Sequence, residues 1–233
     1  MKKIVVFTGA GVSADSGIAT FRDADGLWAS HRIEEVCTPQ ALASNRPKVI
    51  DFYNMRRREL LETTPNAGHK ALVELENAKL YEVQVITQNI DDLHERAGSQ
   101  HVTHLHGELR KLRSSRNETA TVPIEGWEQT LDARHPDGSL LRPFVVFFGE
   151  NVPLLETAIE RVREADILII VGTSLAVYPA ASLVHYVRTD VPIYIIDPAT
   201  PNTASIRNPI RHLKAHSAIG LPQLVKELLA DSF

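Results

Sequence analysis

The chain has 233 residues, 43% hydrophobic and 23% charged, with a formal charge of −4 and a single cysteine. That length supports one large domain, or a domain with a substantial insertion, and is enough to bury a real core. One cysteine can neither close an internal disulfide nor supply a zinc site built on several thiolates, and the mild acidity argues against a nucleic-acid partner.

No run approaches the roughly 18 apolar residues of a membrane span, so no membrane partner is expected. The opening MKKIVVFTGAG carries an apolar run too short for a signal peptide, and a reducing, cytoplasmic setting is the expectation.

In chain order, Ile4–Phe7 is the first short apolar run and predicts a strand. It enters a glycine loop, Gly9-Ala10-Gly11-Val12-Ser13, followed by Ser16-Gly17. Residues 27–76 read as mostly helical, with charge concentrated at Arg56, Arg57, Arg58 and Glu59. Val83–Thr87 is the next strand, and residues 110–142 are polar with no regular period. Phe144–Phe148, Ile167–Val171 and Ile193–Ile196 complete the predicted strands. Glu156–Ala165, with Ala158, Ile159 and Val162 at helical spacing, and Leu221–Leu229 are predicted helices.

Continuous apolar runs fit strands covered on both faces of a parallel sheet, and their alternation with helices predicts a doubly wound α/β fold. The expected division is a sheet domain over 1–26, 77–109 and 143–233. A smaller, mostly helical module takes 27–76 and 110–142.

A strand followed by Gly-x-Gly and a helix start suits a dinucleotide, because glycine lets backbone approach a pyrophosphate. The third glycine comes late, at Gly17, and a tight strand-to-helix turn explains the same residues. The Asn89–Asp92 segment alone reads as either a polar site or a helix cap.

Further motifs follow in order. They are Gly17-Ile18-Ala19-Thr20-Phe21-Arg22, Gly26-Leu27-Trp28, Thr87-Gln88-Asn89-Ile90-Asp91, Leu93-His94-Glu95-Arg96-Ala97-Gly98 and His106-Gly107. Then come Val145-Val146-Phe147-Phe148-Gly149-Glu150, Gly172-Thr173-Ser174 and Tyr178-Pro179-Ala180-Ala181. This ordered set resembles the sirtuins, the NAD-dependent protein-lysine deacylases, and it resembles bacterial members of the desuccinylase and demalonylase type. The likeness spans nearly the full length and lapses between about 112 and 140. It implies a Rossmann-like NAD-binding domain, a smaller module, and transfer of an acyl group from lysine to the ADP-ribose of NAD with release of nicotinamide.

By that resemblance Gly9, Ala10, Gly11 and Ser13 meet the NAD phosphates and their surroundings, and Phe21 and Arg22 lie in the loop that closes on the nicotinamide ribose. Asn89, Ile90 and Asp91 hold the nicotinamide, with Gln88 on the ribose; Gly172 precedes Thr173 and Ser174, which cap a helix facing the phosphates. Asp197 and Ser217 fall near the adenosine, although Asp197 could equally just end a strand. His106 is the implied general base, with Asn89 and Asp91 as its catalytic companions. His101 and His104 stand close by, but no carboxylate precedes Glu108 in that stretch, so a metal is not expected there.

Tyr53 and Arg56 are three residues apart and share a helix face. Relatives that remove succinyl and malonyl groups carry this pair, and a guanidinium binds a carboxylate in a fork that a tyrosine hydroxyl can extend. A basic face in solvent is the alternative. Cys37 stands where such relatives carry alanine; an inert buried thiol is its plain reading. Val146, Phe148, Gly149 and Glu150 match the segment that pairs with an acyl-lysine protein or peptide as an added strand, though Val145–Phe148 could also simply be core.

The family's two Cys-x-x-Cys pairs have no counterpart in Leu112–Arg116 or Ala133–Gly138, so NAD is the expected cofactor and no zinc is expected. Trp127, Leu131, Leu140 and Leu141 are the residues expected to pack this segment instead, and a surface metal at His135 and Asp137 is a remote alternative. An NAD-dependent ADP-ribosyltransferase, a noncatalytic NAD-binding module and a generic dehydrogenase are the rival readings.

Overall fold

The computed structural model describes residues 1–20 and 32–230, so the expected loop residues Phe21 and Arg22 lie outside the description. The chain opens with β1 (Lys2–Thr8) and a single turn, α1 (Gly11–Ala14). Among the described residues four helices follow: α2 (Ile33–Val36), α3 (Pro39–Ser44), α4 (Arg46–Glu62) and α5 (Ala67–Asn77). Next come β2 (Tyr81–Thr87), α6 (Leu93–Ala97), β3 (Val102–His104), β4 (Gly107–Ser114), β5 (Thr121–Pro123) and β6 (Leu141–Val145). The last part holds α7 (Leu155–Arg163), β7 (Ile167–Val171), a 3-10 turn (Ala180–His185), β8 (Ile193–Ile196), β9 (Ile210–Leu213) and α8 (Ser217–Ala230).

Six strands form one parallel sheet in the order β3-β2-β1-β7-β8-β9. Side-chain alternation explains how it is covered on both faces. Ile4 and Val6 of β1 join Val83, Val85, Ile167 and Ile169 beneath α5 and α8. Val5 and Phe7 point the other way, with Leu168, Ile170, Ile193 and Ile195, beneath α7 and the 3-10 turn. Each such side chain contributes about 1.5–3 kcal/mol on burial before ordering costs. This is the doubly wound α/β arrangement expected from the strand runs, with β7 and β8 at the expected residues.

The helices of residues 33–77 start where local chemistry tells them to. Thr38 Oγ1 accepts from Ala41 N, Asn45 Oδ1 from Lys48 N, and proline stands in the first turn of both α3 and α4. Asn66 and His69 form a reciprocal capping box on α5. A third core joins this helical region to the sheet through Phe52, Tyr53, Leu60, Leu93, Leu109 and Phe147.

Two expectations are corrected. The strand expected at Phe144–Phe148 is β6, Leu141–Val145; the Val146 amide closes its ladder on the His106 carbonyl beside the Gly107–Val145 pair, and beyond it the Phe148 amide bonds the Cys37 carbonyl instead. Residues 110–142 are not merely irregular, because β4 pairs antiparallel with β5 and β6 in a three-stranded sheet. Its small core is Leu112, Ile124 and Leu141, while Leu131 is exposed and Trp127 lies under the Arg58 guanidinium at 4.0 Å. The expected division points at 109/110 and 142/143 fall inside β4 and β6.

Polar groups tie off this small sheet. Ser114 Oγ donates to Asp137 Oδ2 at 2.6 Å and lies 2.8 Å from Ser139 Oγ, and it accepts the amides of Arg116 and Asn117. Asp137 also accepts from Ser139 N at 2.8 Å and lies 3.2 Å from His135 Nδ1. These bonds hold the Asp137 carboxyl well below the usual carboxylate range, the Ser114 hydroxyl most strongly.

Candidate active site

A cavity of about 590 Å³ opens where β1, β2, β7 and β8 reach their carboxyl ends. That edge of a parallel sheet is where every strand hands over to a loop, and β1 marks the reversal of strand order, the place where such sheets bind ligands. Its wall includes Gly9, Ala10 and Gly11 after β1, and Gln88, Asn89 and Ile90 after β2. Gly172, Thr173 and Ser174 follow β7, Asp197 follows β8, and Ser217 opens α8.

The glycine loop is packed backbone to backbone. Gly11 N donates to Gly172 O at 2.9 Å, and Gly9 N to Val171 O at 3.0 Å. A Cβ on Gly172, whose φ is +58°, would sit 2.4 Å from Val12 N, and one on Gly11 would sit 2.6 Å from the Gly172 Cα. Only glycine fits either position.

Behind the loop lies a buried polar chain. Asn89 Nδ2 donates to Ser13 Oγ at 3.1 Å, and Ser13 Oγ donates to Asp91 Oδ2 at 3.0 Å. Asp91 Oδ1 accepts from Leu93 N, so the carboxylate, and not Asp92, meets the first amide of α6. Burial pushes the Asp91 carboxyl up, while the Leu93 amide and the Ser13 hydroxyl hold it down. Ser13 and Asp91 line a small recess that adjoins the main cavity through Ala10, Asn89, Ile90 and Arg56.

His106 lines the cavity, and its Nδ1 lies 3.0 Å from the Gln88 carbonyl. A carbonyl only accepts, so Nδ1 carries the proton and Nε2 keeps its lone pair. Burial pushes this imidazole down from its ordinary value, with the Gln88 carbonyl acting in the opposite sense. Gln88 is itself fixed, donating Nε2 to Thr173 Oγ1 at 3.0 Å. That threonine also accepts from Leu175 N, and the chain turns there without starting a helix, so the expected helix cap at Thr173 and Ser174 is a turn.

His104 is a brace that the sequence concealed. Its Nδ1 lies 2.9 Å from the Asn89 carbonyl and its Nε2 lies 2.7 Å from Glu95 Oε1. Burial opposes its charge, but the Glu95 carboxylate and the Asn89 carbonyl outweigh that, and the pKa is raised. The carboxylate missing from the histidine stretch therefore comes from α6, nine residues back.

The far end of the cavity is formed by Cys37, Tyr53, Arg56 and the segment from Val145 to Glu150. Tyr53 is 2% exposed and donates to Cys37 Sγ at 3.3 Å; burial raises its hydroxyl well above the ordinary value, so it stays a donor. Arg56 is 7% exposed and gives Nη1 to Glu59 Oε2 at 2.7 Å. It is not the solvated basic face considered as the alternative. Nor is Arg57, which is fully buried against Leu109 O and Asn54 Oδ1, its pKa pushed down to about 10 by burial.

Val146, Phe148 and Gly149 line the same cavity, with Phe148 exposed. The Glu150 carboxylate is engaged by Arg142, Arg113 and Phe147 N. Asp197 Oδ1 accepts from Ala199 N and its carbonyl meets His212 Nε2. The Ser217 hydroxyl reaches Val12 O and Asp15 Oδ2, both at 3.2 Å, and so fastens α8 to the glycine loop. Among the described residues no group of three or more His, Cys, Asp or Glu is placed to hold a metal, and no helix is long and apolar enough to cross a membrane.

A parallel α/β sheet with a glycine loop and a cavity at its carboxyl edge, flanked by a small antiparallel sheet, defines a Rossmann-like protein with a second module. The chain belongs to the Sir2 family, whose model matches residues 9–179. It is 57% identical over 204 residues to an NAD-dependent protein deacylase of Aggregatibacter actinomycetemcomitans, covering 87% of this chain and 96% of the relative. It is 50% identical over 234 residues to an NAD-dependent protein deacylase of Bacteroides thetaiotaomicron, covering 98% of each. The solved structure of a Sir2 homolog–NAD complex superposes with a TM-score of 0.88 at 39% identity, covering 100% of this chain and 91% of that one.

Proposed function

We propose that this chain is an NAD-dependent protein-lysine deacylase that removes succinyl and malonyl groups, and acetyl more weakly, yielding nicotinamide and O-acyl-ADP-ribose. The observation that carries the reading is continuity: one cavity joins the glycine loop, His106 and the Tyr53/Arg56 pair. The division into an NAD-binding domain (1–26, 77–109, 143–233) and a smaller module (27–76, 110–142) belongs to the same proposal.

The donor set fits NAD. The Asn89–Ser13–Asp91 chain offers a fixed amide, hydroxyl and carboxylate beside the glycine loop, which suits a carboxamide that must both donate and accept. Bound NAD would supply an electrophilic ribose carbon and nicotinamide as leaving group. The chain's own work is to orient and to move protons. Asn89 and Asp91 orient the carboxamide, Gln88 and Thr173 fix the ribose side, and Asp197 and Ser217 flank the adenosine end. His106 Nε2, free of its proton, takes one from a ribose hydroxyl.

Arg56 carries the acyl preference in this reading. Its guanidinium is cationic and buried, with only Nη1 engaged by Glu59, so further donors remain for the terminal carboxylate of a succinyl or malonyl group. The neutral Tyr53 hydroxyl, which donates to the weak Cys37 Sγ acceptor, can turn to the same carboxylate. An acetyl group leaves these donors unmatched, at a cost of about 1–3 kcal/mol.

The deciding experiment offers succinyl-, malonyl- and acetyl-lysine peptides with NAD and follows nicotinamide release and product mass. Faster release with the acidic acyl groups and loss of acyl mass support the reading. Gain of ADP-ribose on the peptide replaces it with the transferase reading, and absence of any turnover removes it.

A further inference from the structure

From Val145, the last residue of β6, to Glu150 the chain runs along the cavity wall, and residues 146–150 lie outside any regular element. Its position depends on two backbone bonds that reach two different elements of the site. Val146 N donates to His106 O at 2.9 Å, and Phe148 N donates to Cys37 O at 3.0 Å. One bond ties the segment to the candidate base and the other to the acyl end.

Behind the segment sits a charge pair. Arg142 gives Nη1 to Glu150 Oε1 at 2.6 Å and Nη2 to Glu150 Oε2 at 3.1 Å, a two-pronged fork. The same Nη2 reaches Val145 O at 3.2 Å. Glu150 Oε2 accepts Phe147 N at 2.8 Å, and Arg113 adds Nη2 to Oε1 at 3.2 Å. Arg142 and Glu150 thus clasp both ends of the segment and its middle. Arg142 also lies 4.0 Å from the Phe147 ring centroid, and that ring stacks on Tyr53 at 5.8 Å with 17° between planes. A column runs from Arg142 through Phe147 to Tyr53 and Cys37.

We propose that Arg142 and Glu150 are a positioning pair that holds residues 145–148 in register between His106 and Cys37, and so fixes the wall against which the acyl-lysine peptide lies. The proposal rests on the deacylase reading for its peptide. It gives Glu150 an indirect role, because its carboxylate is taken up by Arg142, Arg113 and the Phe147 amide, and it brings in Arg142, which the sequence motifs did not single out.

The test uses the full chain with Glu150→Gln, which is isosteric, together with Arg142→Met and Arg142→Lys. Amide hydrogen exchange of Val146 and Phe148 should quicken by about tenfold or more in E150Q and R142M, while the amides of β1 and β7 keep their wild-type rates. The peptide KM should rise by about tenfold, with kcat and the NAD KM within about twofold, and R142K should recover part of the loss because it keeps the charge without the fork. If R142M does not fold, E150Q carries the comparison. Wild-type exchange at Val146 and Phe148 in a folded variant overturns the proposal. So does faster exchange with no rise in peptide KM, or an equal rise in both KM values. If the wild-type chain processes no acyl-lysine peptide, the deacylase reading falls, and the exchange rates alone decide whether the pair orders the segment.

Discussion

The Ser13 hydroxyl donates to the Asp91 carboxylate across 3.0 Å, and both residues are buried. The same oxygen accepts from Asn89, so one hydroxyl sets the orientation of two neighbours that do not bond each other directly. Ser13→Ala leaves a buried amide and a buried carboxylate oxygen without this partner, at a cost of about 1–3 kcal/mol. The expected outcome is a lower Tm and NAD binding weakened by about tenfold, read by calorimetry. Unchanged NAD affinity in a folded S13A protein would remove the orienting role.

As the proposed base, His106 should set the acid limb of activity. Its folded pKa is depressed by burial, so the neutral base is present at neutral pH and is lost only as pH falls through that depressed value. The limb in kcat/KM should therefore lie below about pH 6.5, the unperturbed value. His106→Ala should fold, bind NAD and lose deacylation. A limb centred above that value contradicts the assignment.

Arg56→Met should reduce kcat/KM for succinyl-lysine peptides by about tenfold to a hundredfold and change acetyl-lysine turnover much less. Steady-state assays on matched peptides check this. Equal losses on both substrates would sink the acyl preference.

The His104–Glu95 pair makes stability depend on pH in a definite sense. His104 is raised in the fold, so its contribution is full below about pH 6.5 and disappears as pH rises through its folded value. Burial raises Glu95, but the His104 bond and charge together with smaller favourable contacts outweigh it and the group is lowered, so its contribution is present above its unfolded value and is lost as pH falls through the folded one. The pair is at full strength between those limits. Denaturant titrations of wild type and Glu95→Gln across pH should show the wild-type advantage shrinking on the alkaline side. Parallel curves would contradict it.

Asp137→Ala should lower Tm and loosen the small sheet, because Ser114 Oγ and Ser139 N lose a common acceptor. Elemental analysis and a melt with chelator belong to the same experiment. The expected outcome is no stoichiometric zinc and an unchanged wild-type Tm, and bound zinc would contradict the metal-free reading.

The parallel sheet was legible because strands covered on both faces leave unbroken apolar runs, as in Ile167–Val171 and Ile193–Ile196. Phe144–Phe148 has the same composition but a different role. Its apolar character reflects the packing of Phe147 on Tyr53, and its backbone bonds go to His106 and Cys37. The small sheet was hidden because β4 alternates buried and wet positions through charged residues, and β5 spans only three residues. Motif order located the glycine loop, Gln88–Ile90, His106 and Gly172–Ser174, since each of these follows the carboxyl end of a parallel strand. It could not reveal the brace on Asn89, because Glu95 and His104 sit on different elements that only folding brings together.

The small sheet closed by Ser114, Asp137 and Ser139 has one more consequence. Hydroxyls and a carboxylate offer nothing for peroxide to attack, and the chain's single cysteine stands elsewhere, at the cavity wall. Oxidative damage by way of a thiol therefore cannot begin by unravelling this module; it has to pass through Cys37, where burial keeps the thiol protonated and slow to react.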